Sequence, residues 1–332
     1  MNPERLKMSI RQPFHALELK PDSIANSPSG AFHAFCDEYG KRQNALNLIK
    51  LLHQLAKTVQ RHRGMSMALL AGSTFFEGDF KKLQLEMEMR LKLLEVFAAK
   101  AGELLTDRDR ENLHSAWMTV CADWQDDDVV DNFEFHSHFI EQLHAMVTRL
   151  AKNLENPISV VVSEQFDTSF AGEPGPDYPQ VFKHIELLNF LSRELPAMVE
   201  QIARIRGLST YAAAKGHCDP HLANKLRFAI SCGREQNEKI RPQAKRLQDI
   251  IAELTQPLSS IKEYELKLLF LLEMVERDVL SGSIISASSH QLFKLATDII
   301  DVYLDVVEHG WSLMQKWQED DMEQWLASSG AK

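Results

Sequence analysis

The sequence predicts an all-α protein: two four-helix bundles joined by a Pro/Gly-rich linker. Three observations carry that expectation. Glycine and proline number only 14 and 12 in 332 residues. Together they make up about 8%, against roughly 12% in average usage, and a shortage of both favours helix over turn-rich sheet. Apolar residues recur at three- and four-residue spacing over long stretches, the mark of amphipathic helices. The helix breakers Pro157, Gly172, Pro174, Gly175, Pro176 and Pro179 cluster near the middle and divide that pattern in two.

Residues 1–40 are polar and interrupted by Pro3, Pro13, Pro21 and Pro28, and read as a mobile N-terminal arm. The first bundle (41–155) opens with Leu48, Leu52, Leu55 and Val59 on one face of a helix over 41–71. A second helix covers 79–101. Thr106 or Asp107 caps a third, which carries Leu113, Trp117, Val120 and Trp124 on one stripe. The acidic turn Asp126–Asp128 leads into a fourth, through Phe139, Leu143, Met146 and Leu150. Short connections make these four an up-and-down bundle.

The linker (156–179) contains one strand-prone piece, Ile158 to Val162. The second bundle (180–317) has helices over 180–215, 219–255, 261–283 and 288–317. Asp219-Pro220 supplies a cap and an N1 proline, and Pro242 is expected to kink or split the helix it starts. A short amphipathic piece, Trp311 to Leu326, runs into a C-terminal tail (318–332).

A net charge of −10 without a large basic block argues against a nucleic-acid reader and against an anionic-membrane binder. No apolar run approaches the ~20 residues that span a bilayer, and the first thirty residues show no secretory h-region. Cys36, Cys121, Cys218 and Cys232 form no C-x-x-C pair and read as reduced thiols, so a cytoplasmic protein is expected. No phosphate loop, dinucleotide fingerprint, zincin motif or nucleophile elbow is present. The E-x-x-H strings Glu111–His114 and Glu141–His144 evoke di-iron bundles. Their glutamates point away from the apolar stripes, and they lie on consecutive helices. His136 and His138, two residues apart, diverge on a helix and read as solvated. No enzyme, metal site or cofactor is expected.

One string is repeated. Arg61-His62-Arg63-Gly64-Met65-Ser66 follows the first apolar stripe. Arg204-Ile205-Arg206-Gly207-Leu208-Ser209 follows the equivalent stripe of Leu191, Leu195, Met198 and Ile202 (206 − 63 = 143). Alanines and a glycine come after both copies, and a duplicated unit explains the match. At about 100° per residue, Ser66 and Ser209 fall in mid-stripe, Arg63 and Arg206 about 60° off on its margin, and Arg61 and Arg204 about 140° the other way. Arginine cannot shed its charge, so a partly buried copy needs an acceptor: a carboxylate, or a small planar anion that fits the guanidinium fork. His62 lies in the buried sector beside Arg63 and reads as a satisfied core histidine.

These strings, with Gln60 before the first and Glu194-Leu195-Pro196-Ala197-Met198-Val199-Glu200 before the second, resemble the nitrate- and nitrite-sensing (NIT) family. The chain has Arg61-His62 where the family often has arginine and glutamate. The resemblance implies two four-helix bundles and binding of nitrate or nitrite by Arg61, Arg63, Arg204 and Arg206, with Ser66 and Ser209 beside them. Arg277, in Glu273-Met274-Val275-Glu276-Arg277, resembles a further arginine of the family. It also implies an output through a separate regulatory protein or through oligomeric state, a homodimer included. The alternative is a helical scaffold that binds a protein partner and no small ligand, which the acidic surface and Trp311, Trp317 and Trp325 suit.

Overall fold

The computed structural model describes residues 28–158, 161–162, 181–281 and 284–328, and among them all regular structure is helical. The long helices are α1 (Pro28–Leu70), α2 (Glu77–Lys100), α3 (Asp107–Cys121) and α4 (Val129–Lys152). Next, α5 runs over Val181–Asn189, through a π-helical turn at Phe190–Glu194, and on over Leu195–Lys215. The remaining helices are α6 (Pro220–Ile250), α7 (Thr255–Val275, extended by a π turn at Glu276–Leu280) and α8 (Ser289–Ser328).

Local chemistry sets most of the boundaries. Thr106 and Asp109 form a reciprocal capping box at the start of α3. Asp128 caps α4. The Asp219 carboxylate accepts from the His221 and Leu222 N–H groups at 2.9 and 3.0 Å, with Pro220 in the first turn of α6. Gly216 ends α5 at φ 77°, left-handed backbone that favours glycine. The π turn has a local cause as well: Pro196 has no N–H to give the Ser192 carbonyl. The Thr148 hydroxyl of α4 donates to that carbonyl at 3.4 Å instead.

Four boundaries differ from the sequence expectation. Residues 28–40 of the expected arm belong to α1, because Phe35 is fully buried against Ile158 and Val162; residues 1–27 lie outside the described residues. In the expected strand-prone piece, Ile158, Val161 and Val162 are helical, and the Ile158 N–H donates to the Asp321 carboxylate at 3.1 Å. The rest of the linker, 159–160 and 163–179, lies outside the described residues. Pro242 does not split α6: it is exposed, as is Glu238, the residue whose carbonyl it leaves unbonded, so water can serve that group. The separate C-terminal piece is absorbed into α8, where Trp311 and Trp317 continue the buried face of one 40-residue helix.

Helix α1 packs against α2, α4, α5 and α8, and α5 packs in turn against α6 and α8. The same apolar core continues from Ala45 in α1 to Trp317 in α8. α1 and α5 are therefore enclosed on several sides, and their polar residues meet each other inside the protein. Among the described residues, no helix is long and apolar enough to cross a membrane.

Candidate functional site

The two R-x-R-G-x-S strings meet where α1 crosses α5. A methyl group added at Gly207 would lie 3.9 Å from the Gly64 Cα and 3.0 Å from Met67 Sδ. One added at Gly64 would lie 2.9 Å from the Phe293 ring and 3.4 Å from Arg206 Nε. Both glycines are there for close approach, which repays the ~1 kcal/mol that each costs a helix relative to alanine.

Around this crossing the duplication builds two arginine pockets from matching parts. In the first, Arg63 is fully buried. Its Nη1 donates to Glu200 Oε1 at 2.7 Å and to Ser137 Oγ at 2.9 Å, and its Nη2 donates to Glu200 Oε2 at 3.1 Å. The guanidinium lies 5.1 Å from the Phe133 ring centre. In the second, Arg206 is 2% exposed and lies 4.8 Å from the Phe293 ring centre. Its Nη1 donates to Thr297 Oγ1 at 2.9 Å and its Nη2 to the Gln60 carbonyl at 2.8 Å.

The matching parts expose a second repeat, which the sequence analysis missed. Phe133, Ser137 and Glu141 on α4 correspond to Phe293, Thr297 and Asp301 on α8 (293 − 133 = 160). Each set places a ring, a hydroxyl and a carboxylate on successive turns of one helix face. Spacing alone could have revealed it.

The two pockets differ in one decisive respect. Glu200, which neutralises Arg63, stands 143 positions after Lys57 (200 − 57 = 143), so the sequence position that matches Glu200 for Arg206 holds a cation. Lys57 itself pairs with Asp301 at 2.8 Å. Among the described residues Arg206 has no carboxylate partner, and its Nε, like that of Arg63, makes no hydrogen bond. Burial pushes the Arg206 guanidinium down to about 9, the charges of Arg63 and Arg61 act the same way, and Asp301 and Glu200 oppose them. Burial pushes the Glu200 carboxyl up, but Arg63 and Arg204 outweigh it and hold it at about 2.

The other expected site residues are placed as follows. Arg204 is partly buried and holds Glu200 through its Nε at 2.8 Å and Glu141 through its Nη2 at 3.0 Å. Ser66 Oγ donates to Asn132 Oδ1 at 2.8 Å, and Ser209 Oγ to the Arg206 carbonyl at 3.4 Å. Both hydroxyls are buried, and neither bonds a guanidinium. Arg61 faces solvent. Arg277 is exposed on the π turn after α7, with Asp278 accepting from its Nε at 2.7 Å and from its Nη2 at 2.9 Å. Thus Arg63, Arg204 and Arg206 share one neighbourhood through Glu200 and Gln60, while Arg61 and Arg277 lie on the surface.

Beside Arg63, His62 Nδ1 lies 2.7 Å from His136 Nε2, and His136 Nδ1 lies 2.6 Å from the Asn132 carbonyl. A carbonyl only accepts, so His136 Nδ1–H donates to it and His62 Nδ1–H donates to His136. This corrects the expectation that His136 is solvated: it is fully buried, whereas His138 is exposed. Burial drives both His62 and His136 well below the usual imidazole value, so both are neutral. Glu111, His114 and Glu141 face solvent. The described residues hold no cluster of three or more histidine, cysteine or acidic side chains suited to a metal ion.

No protein family, characterised protein or solved structure matches this chain.

Proposed function

We propose that the chain is a nitrate- and nitrite-sensing protein made of two four-helix bundles, α1–α4 and α5–α8, joined by residues 156–179. In this reading it binds a small planar oxyanion at Arg206 and signals to a separate partner protein. One observation carries it. Arg63 and Arg206 occupy duplicated settings of ring and hydroxyl, but Glu200 fills the fork of Arg63 and Lys57 stands at the matching position for Arg206. Nitrate and nitrite present an O–N–O edge shaped like a carboxylate, which matches that fork. Either anion supplies at Arg206 the charge that Glu200 supplies at Arg63. The resemblance of both strings to the NIT family supports the same ligand class.

The signal follows from charge. Glu200 pairs with Arg63 and not with Arg206, so the two buried guanidinium groups repel each other across the Gly64–Gly207 contact. A bound anion removes that repulsion and shifts the chain toward the tighter α1–α5 arrangement by its difference in affinity for the two states. Arg63 and Arg204 act by fixing Glu200, and Arg206 holds the ligand.

Isothermal titration calorimetry with nitrate and nitrite, against chloride at equal ionic strength, tests this reading. Wild type gives heat with the oxyanions; Arg206→Ala and Lys57→Glu do not, the latter because it installs the matching carboxylate. A helical scaffold without a ligand predicts no heat at all. Silence from wild type with both anions, or undiminished affinity in Arg206→Ala, refutes the assignment.

A further inference from the structure

α2 carries two apolar faces. Phe80, Leu83, Met87, Leu91, Leu94 and Ala98 are buried. Leu85, Met89, Leu93 and Val96 are 62%, 65%, 55% and 56% exposed. At about 100° per residue these four fall within roughly 80° of arc, directly opposite the buried set. Large apolar side chains scattered singly on a surface are ordinary, but an aligned stripe on one helix marks a contact face.

The charges along α2 indicate what covers that stripe. Its first half carries Glu77, Asp79, Glu86 and Glu88 against Lys81 and Lys82, a net of −2. Its second half carries Arg90, Lys92 and Lys100 against Glu95, a net of +2. A helix of this kind complements itself when turned end for end. A two-fold axis midway along the stripe sets Leu85 of one copy against Val96 of the other. The same axis sets Glu88 beside Lys92 twice, on the same flank. Closed two-fold contacts use one patch on both subunits, which this arrangement satisfies.

We infer that the exposed face of α2 is a homodimer interface in which two copies of the chain pair their α2 helices antiparallel. The apolar stripe supplies the attraction and the Glu88–Lys92 pairs set the direction. The inference is independent of anion binding at Arg206, which lies on other helices.

Sedimentation velocity of the full chain, from micromolar to near-millimolar, tests it. Wild type shows a monomer–dimer equilibrium, and Met89→Glu shifts it toward monomer by ~tenfold or more while its thermal melt stays cooperative. Glu88→Lys and Lys92→Glu each weaken the dimer alone, and the double reversal restores it. The thermal midpoints of all three variants stay equal at a concentration where each is monomeric, which separates the effect from the i,i+4 pair these residues can make within one helix. Three results overturn the inference: a wild type that remains monomeric throughout, a double reversal that restores nothing, or association abolished by Leu266→Glu on α7 but untouched by Met89→Glu.

Discussion

Replacing Glu200 by glutamine tests the charge balance at the helix crossing most directly. The substitution keeps the size of the side chain and removes only its charge and one acceptor oxygen. Glu200 accepts from Arg63 at 2.7 and 3.1 Å, from Arg204 at 2.8 Å and from Gln60 at 3.0 Å. An amide cannot serve all four donors, and its NH2 group faces the Arg63 fork. Arg63, which has no access to solvent, keeps one amide oxygen and the Ser137 hydroxyl as side-chain acceptors but loses the negative charge that balances it. Removing one partner of a buried ion pair costs about 3–5 kcal/mol, mostly because the other charge stays buried and uncompensated. At roughly 2 °C per kcal/mol for a chain of this size, the melting midpoint falls by about 6–10 °C. Thermal and urea melts of Glu200→Gln, alongside Glu141→Gln as an exposed control expected to cost under ~1 kcal/mol, provide the assay. Equal losses in the two variants would mean that Glu200 is not the charge on which the crossing depends.

Other outcomes follow from the same packing and charge arrangement. Burial holds His53 and His136 each at about 3, so their neutral forms contribute stability above the free imidazole value, and that stability is lost as pH falls toward 3. At pH 5 each costs about 2 kcal/mol, so these two alone lower the midpoint by about 8 °C between pH 7 and pH 5, and His62 acts in the same direction. Glu200, held at about 2, adds its own loss only below pH ~4.5. A flat melting profile across pH 5–7 contradicts this. Gly310→Ala places a methyl group inside the Leu191 side chain and costs about 1–3 kcal/mol by urea titration. Gly64→Ala, 2.9 Å from the Phe293 ring that covers Arg206, destabilises more than Gly207→Ala, whose neighbour is the flexible end of Met67. Arg277→Ala leaves both the melting midpoint and the oxyanion titration unchanged, since its exposed guanidinium bonds, among the described residues, the adjacent Asp278 carboxylate alone.

Much of the helical layout is legible from periodicity and caps: Thr106, Asp128 and Asp219-Pro220 each start a helix close to where the sequence places it. The wheel also puts Ser66 and Ser209 in the interior, where they are. It does not find Glu200, which falls about 180° from the α5 stripe. That side of α5 is covered by α1, so Glu200 is 5% exposed. For the same reason Arg63 and Arg206 are interior residues, although the wheel puts them on a margin. A single stripe describes a helix packed on one side, and α1 and α5 are packed on several.

The amino-acid sequence by itself determined the helical character of the chain and the duplicated arginine strings, because both are local: backbone preference, spacing and caps act within a few residues. Only the tertiary structure decided which guanidinium is neutralised. That depends on residues 137 positions apart, Arg63 and Glu200, being brought to hydrogen-bonding distance. It depends equally on the sequence position that matches Glu200 for Arg206 holding Lys57, a cation that pairs with Asp301. Charge compensation in a dry interior is a property of what packs nearby, and no periodicity within one helix contains it.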